Sequence, residues 1–371
     1  MLFVDNTRLA LIMLVLFDHA AVTYSGVGGW YYRDPVAPGP INQLLLVFLE
    51  GLCQSFFMGT LFALAGYYSA LSLSRKGVLP FVIGRLTRLG APTLFYMALI
   101  NPLTVYYVAN MENIRSKISF TGYYQRYVTD LHILSGTGPM WFALALLIFS
   151  LIYAGGAALL PANPRAQRRR LSARLITTLI ALCAAGAFLV RLAQPIGTTV
   201  CNMQLGYFTQ YVVLFVFGVA AHANDWLRTI DYRLGRRCLL AACAGIPVWA
   251  ALLVYGASAE PDALLGGAHW QSMAYALWES FNGVCMTVGL IAVLREQWNA
   301  QSPLVATMSD SAFAVYIFHP PIMVALALSL APFQAPALAK CLLLLALSLP
   351  SCFGAAWLIR RTPLLRALTR Q

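Results

Sequence analysis

A chain of 371 residues that is 60% hydrophobic and only 10% charged, with a mean hydropathy of +0.71, departs from soluble domains, in which about a quarter of residues are charged. This excludes a soluble globular fold and leaves an integral membrane protein embedded in a lipid bilayer. The formal charge of +12 does not point to nucleic acid, because Lys and Arg fall in short clusters between apolar runs, where they act as topology signals.

A bilayer core about 30 Å thick takes roughly 20 residues of helix. Ten runs near that length follow one another, at 8–25, 43–73, 90–110, 139–160, 174–193, 205–223, 239–258, 273–294, 312–331 and 336–359. The sequence therefore predicts an all-α polytopic membrane protein, a single bundle of about ten transmembrane helices forming one domain over 1–371. The first run starts within eight residues of Met1 and no small-residue cleavage site follows it, so it is expected as a retained helix.

That first run carries Arg8 and, eleven residues on, His19. Eleven residues make about 20° more than three helical turns and a rise of ~16 Å, so the two share a face. Asp18 precedes the histidine, and an acid and an imidazole at that depth are expected to face the bundle interior or a hydrated cavity. A core histidine bonded to a neighbouring helix is the competing reading. At the entry to the third run, Arg85 and Arg88 stand three residues apart on one helical face, level with Arg8. Singly, each reads as a topology anchor; together, three guanidiniums suit a polyanionic head such as a diphosphate nucleotide.

The segment 110–138 is the longest loop, polar and aromatic, and long loops more often bind or cap than merely connect. The eighth run places Glu279 at membrane depth, nearer the outer face, where an interfacial residue is the alternative. The ninth holds His319 before Pro320 and Pro321, which remove backbone donors and predict a kink. Eight cysteines are scattered with no metal or redox spacing, so no metal site is expected.

The basic residues alternate by side. Clusters after the second, fourth, sixth, eighth and tenth runs, including Arg165, Arg366 and Arg370, place eighteen on one side. Arg33, Arg115, Lys117, Arg126, Arg191 and Lys340 make six on the other. The positive-inside rule then puts both termini in the cytoplasm.

Five motifs in order resemble the acyltransferase family 3 membrane enzymes: Arg8 with His19; Phe56-Phe57 followed by Ala65-Gly66-Tyr67-Tyr68; Arg85-x-x-Arg88 with Pro92; Gly138-Pro139-Met140-Trp141-Phe142; and Tyr316 to Pro321. The stretch from Tyr24 to Trp30 and the Ala-Gly-Tyr-Tyr-Ser run are similar to the glucans biosynthesis protein C branch, which resembles succinyltransferases. One departure is Asp18, where an apolar or aromatic residue is usual.

The resemblance implies ten helices and transfer of an acetyl or succinyl group from acyl-CoA, a co-substrate with no further cofactor, to a hydroxyl of an extracytoplasmic glycan or other carbohydrate. It also implies the bacterial inner membrane. By it, Arg8, Arg85 and Arg88 would hold acyl-CoA, with His19 as base or nucleophile and His319 orienting or relaying; Asp18 and Glu279 complete the catalytic candidates. A transporter or flippase for a glycan-related or lipid substrate is the alternative, but it calls for paired broken helices in two matching halves, and only one Pro-Pro site is present.

Overall fold

The computed structural model describes residues 1–111, 119–159, 168–256 and 260–362. Of the basic residues assigned to sides, Arg115, Lys117, Arg165, Arg366 and Arg370 lie outside them. The described chain is helical throughout, apart from turns and one isolated bridge between Val200 and Met203. Among the described residues nine helices are long and apolar enough to cross a membrane.

The first is α1, Leu2–Ser25. The run predicted at 43–73 is two helices, α2 (Pro40–Gln54) and α3 (Phe57–Lys76). Their junction exposes backbone that lipid cannot satisfy. Gln210 Nε2 donates to the Ser55 carbonyl at 2.9 Å, and Asn282 Nδ2 donates to Ser55 Oγ at 2.6 Å. The predicted third span is the later part of a helical run, α4, over 78–111, which two π-helical stretches at Leu86–Gly90 and Tyr96–Ile100 interrupt. It is not one of the nine; Arg85, Arg88 and Asn101 dilute its apolar character.

After the short helix α5 (Phe120–Thr129) come α6 (Trp141–Leu159), α7 (Ala173–Arg191), α8 (Phe208–Ala223) and α9 (Tyr232–Ala244), which continues helically to Gly256. The last three are α10 (Trp270–Gln297), α11 (Pro303–Ser329) and α12 (Ala337–Arg361).

Helix α1 stands at the centre, packed on α2, α3, α10, α11 and α12. This places both residues of interest on α1 in the middle of the bundle. Small residues set how closely other helices approach, as is usual where lipid supplies no hydrophobic drive between them. A Cβ on Gly66 of α3 would strike the Phe215 carbonyl of α8, and one on Gly218 would strike the Ala63 carbonyl.

Contacts fix which loops share an end. Phe3 N–H donates to Asn299 Oδ1 (3.0 Å), Ser309 Oγ to the Asp5 carbonyl (3.3 Å), and Arg360 Nη1 to Ser311 Oγ (3.2 Å). The start of α1 and the described end of α12 therefore lie together. Arg295, bonded to the Ile230 carbonyl, joins them. At the opposite end Asn202 bonds Thr137 and Gly138, and Ile196 N–H donates to Leu265. Segments that the charge count assigned to one side therefore meet at one end of the bundle.

Two basic residues counted on the outer side are not surface anchors. Arg191 is fully buried and paired with Glu279, and Lys340 is 3% exposed and paired with Asp34. Each compensates an acid that burial would otherwise make costly.

Candidate active site

A single cavity of about 1850 Å³ joins the two ends of the bundle. Its lining includes Arg8, Lys76, Arg85 and Arg88 at the arginine-rich end, Asp18, His19, Glu50 and Gln54 midway, and Thr199 and Asn202 at the other end. Ligand pockets ordinarily span about 300 to 1,000 Å³, so this one is larger than most.

At the arginine end the three guanidiniums singled out in the sequence border one space. Arg85 is oriented by Ser69, to whose Oγ its Nη2 donates at 3.0 Å, and lies over the Phe81 ring at 5.0 Å. Among the described residues the ion-pair partner of Arg8 is a loose one, Asp5 at 3.8 Å one turn earlier. Lys76, which the sequence reading left among the topology signals, adds a fourth cation to the same wall.

About three turns further along α1, His19 is held by rings. Trp30 stacks on it with centroids 3.8 Å apart and planes at 14°, and His319 lies nearly parallel to it at 5.2 Å and 7°. Trp30 and His319 are 6.0 Å apart. A triangle with these sides is close to right-angled at His19, so Trp30 covers a face of the imidazole while His319 lies beside its edge.

His319 is completely buried and does not line the cavity. Its Nδ1 lies 3.1 Å from the Val315 carbonyl and 3.0 Å from that of Tyr316. Carbonyls only accept, so Nδ1 carries the proton and Nε2 is left an acceptor. The arrangement also answers the prolines. Pro320 has no N–H to offer the Tyr316 carbonyl four residues back, and the His319 ring supplies a donor in its place. Helix α11 accordingly continues through both prolines. Nε2 of His319 has no hydrogen-bond partner among the described residues.

Asp18 lines the cavity, but its Oδ2 is 4.0 Å from His19 Nδ1, beyond hydrogen-bond reach. It does not orient the imidazole. Glu279 differs from its expected place. It does not line the cavity but is buried behind it against Arg191, whose guanidinium lies over Tyr207 (5.4 Å) and Tyr275 (5.1 Å) and donates from Nε to the Gly206 carbonyl (3.1 Å). Both tyrosines do line the cavity, so the pair shapes its wall from the second row.

The segment between α1 and α2 brings Trp30 over His19. Tyr31 donates to Asn101 Oδ1 at 2.6 Å and lies 2.9 Å from the Tyr96 hydroxyl, while Asn101 donates to Tyr127, which donates to the Met97 carbonyl. Burial raises the Tyr31 and Tyr127 phenols above their ordinary values, which keeps both as donors at neutral pH. On the other side Asp34 pairs with Lys340 of α12. Tyr316 donates to the Pro139 carbonyl and accepts from Ala143 N–H, tying α11 to the start of α6.

Sequence reasoning passed over Glu50. An acid within the apolar run of α2 was a signal of the same kind as Asp18.

Compared with known proteins, residues 1–361 match a family model described as an acyltransferase domain, acyltransferase 3. No curated protein and no solved structure matches the chain.

Proposed function

Since the chain belongs to the acyltransferase family 3 and is a membrane acyltransferase, we propose that it takes an acyl group from acyl-CoA at its cytoplasmic end and delivers it to a hydroxyl of an extracytoplasmic carbohydrate. The observation that carries this reading is the cavity that runs without a break from Arg8, Arg85 and Arg88, past His19, to Asn202 and Thr199. A donor entering from one end and an acceptor from the other meet at the imidazole.

The arginines hold the phosphates of acyl-CoA, for which a planar fork with several donors is well shaped. Its pantetheine arm extends inward along α1, where ~16 Å of helix rise separates Arg8 from His19. His19 acts as general base. The acceptor hydroxyl gives its proton to the ring as its oxygen attacks the thioester carbonyl carbon. The C–O bond forms, the C–S bond breaks, and the departing CoA thiolate takes up the proton that His19 holds. His319 is a positioning residue: its ring, fixed through Nδ1 to the Val315 and Tyr316 carbonyls, lies nearly parallel to that of His19 at 5.2 Å and limits the room in which it can tilt.

With donor and acceptor meeting in one cavity, transfer is direct and no acyl-enzyme forms. The test is turnover of labelled acyl-CoA by purified protein, with and without carbohydrate acceptors. His19→Ala is expected to accumulate in the membrane normally and to abolish transfer. Normal transfer by that variant would refute the assignment.

A further inference from the structure

A histidine that takes a proton from its substrate becomes a cation, and something must meet that charge. In hydrolases built on a histidine base, a carboxylate bonded to the second ring nitrogen does so. Among the described residues no carboxyl group is hydrogen-bonded to His19, and Asp18 Oδ2 stands off at 4.0 Å. Neither Asp18 nor Glu50, the other acid midway along the cavity, has a Lys or Arg within ion-pair distance among those residues. A carboxyl group removed from water without a cation close by is costly to ionise, so these two supply no counter-charge. Asp34 and Glu279 are matched to Lys340 and Arg191.

What does lie on the ring is the indole of Trp30, its centroid 3.8 Å from that of His19 and its plane tilted by 14°. The face of an aromatic ring is the negative part of its quadrupole and attracts a cation within about 6 Å, indole most strongly. That attraction is weak for the neutral imidazole and strong for the imidazolium, so the proton transfer itself brings it into play. An interaction made in the transition state and not before it raises kcat and leaves substrate binding alone.

The segment after α1 is built around this placement. The chain leaves the helix at Ser25 and turns back through Gly26 and Gly28, at φ of 74° and 88°, where a side chain is disfavoured. Asp34 N–H donates to the Thr23 carbonyl at 2.9 Å, and Tyr31, next in the chain to Trp30, is bonded to Asn101 and Tyr96.

We propose that Trp30 is a positioning residue whose indole face stabilises the imidazolium of His19 during acyl transfer. The proposal rests on the general-base reading of His19 above and adds the group that makes the base effective.

The test replaces Trp30 alone, in the full-length protein, by 5-fluorotryptophan and by 5,7-difluorotryptophan. Fluorine withdraws electron density from the ring face and leaves the shape of the indole nearly unchanged, so a purely packing role would not respond. Release of CoA from acetyl-CoA by the purified protein is followed with octyl β-glucoside as acceptor and with water in its place. The kcat is expected to fall stepwise with each fluorine and to be lowest in Trp30→Leu, roughly threefold to thirtyfold below wild type, with Trp30→Phe between and the KM for acetyl-CoA little changed. A kcat that stays level along the fluorinated series, or that falls only together with a rise in KM, would overturn the role of Trp30 and leave His19 as base. Release no faster in the wild type than in His19→Ala would instead remove the base, and this proposal with it.

Discussion

At the scale of single residues, the molecule distinguishes polar groups that face the cavity from those that hold its wall. Arg191 and Glu279 belong to the second kind. Both are buried, and removal of one partner leaves the other as an uncompensated charge, a change that typically costs about 3 to 5 kcal/mol. Glu279→Ala is therefore expected to lower the thermal stability of the purified protein by an amount of that order. A stability equal to wild type, with turnover alone lost, would return Glu279 to the reacting centre. Asp18, His19 and the three arginines could be picked out in the sequence because a charge or an imidazole in an apolar helix is itself a signal. What the sequence could not show was pairing. Arg191 and Lys340 read as outer-surface anchors because their acids, Glu279 and Asp34, are distant in the chain, 88 and 306 residues away. Nor could it show that adjacent Asp18 and His19 would both face the cavity and yet not bond.

Among the elements, α1 and α4 do the placing. The central position of α1 gives the cavity its polar ladder from Arg8 to His19. In α4 the π-helical stretch at Leu86–Gly90 begins directly after Arg85 and contains Arg88, and such stretches are common at functional sites. Charged hydrogen bonds to phosphate are worth about 1.5 to 3 kcal/mol each. Arg85→Ala and Arg88→Ala are thus each expected to raise the KM for acyl-CoA roughly tenfold or more, with the KM for the acceptor little changed. Unchanged donor KM in both variants would contradict the assignment. The element pattern was legible to a large degree: nine of the ten predicted runs correspond to helices able to span a membrane. The break between α2 and α3 was not, because hydropathy registers composition and the junction is stabilised by Gln210 and Asn282 from far along the chain. The same holds for the segment that lays Trp30 on His19, fixed by Tyr31, Asn101 and the Asp34–Lys340 pair.

For the whole molecule, charge asymmetry and cavity shape tell one story. The arginine-rich loops, the start of α1 and the described end of α12 share one end, and the phosphate-suited arginines open from it. The cavity then connects that end to the far one, with His19 between, and the proposed reaction draws its two partners from opposite ends. Sidedness is the property to measure. The protein is reconstituted in vesicles with one orientation selected, and labelled acyl-CoA and a carbohydrate acceptor are supplied on chosen sides. Transfer is expected when donor is present only on the arginine-rich side and acceptor only on the other, and to be absent in His19→Ala. Transfer that requires both substrates on the same side, or that proceeds equally with their sides exchanged, would contradict a reaction through the bundle.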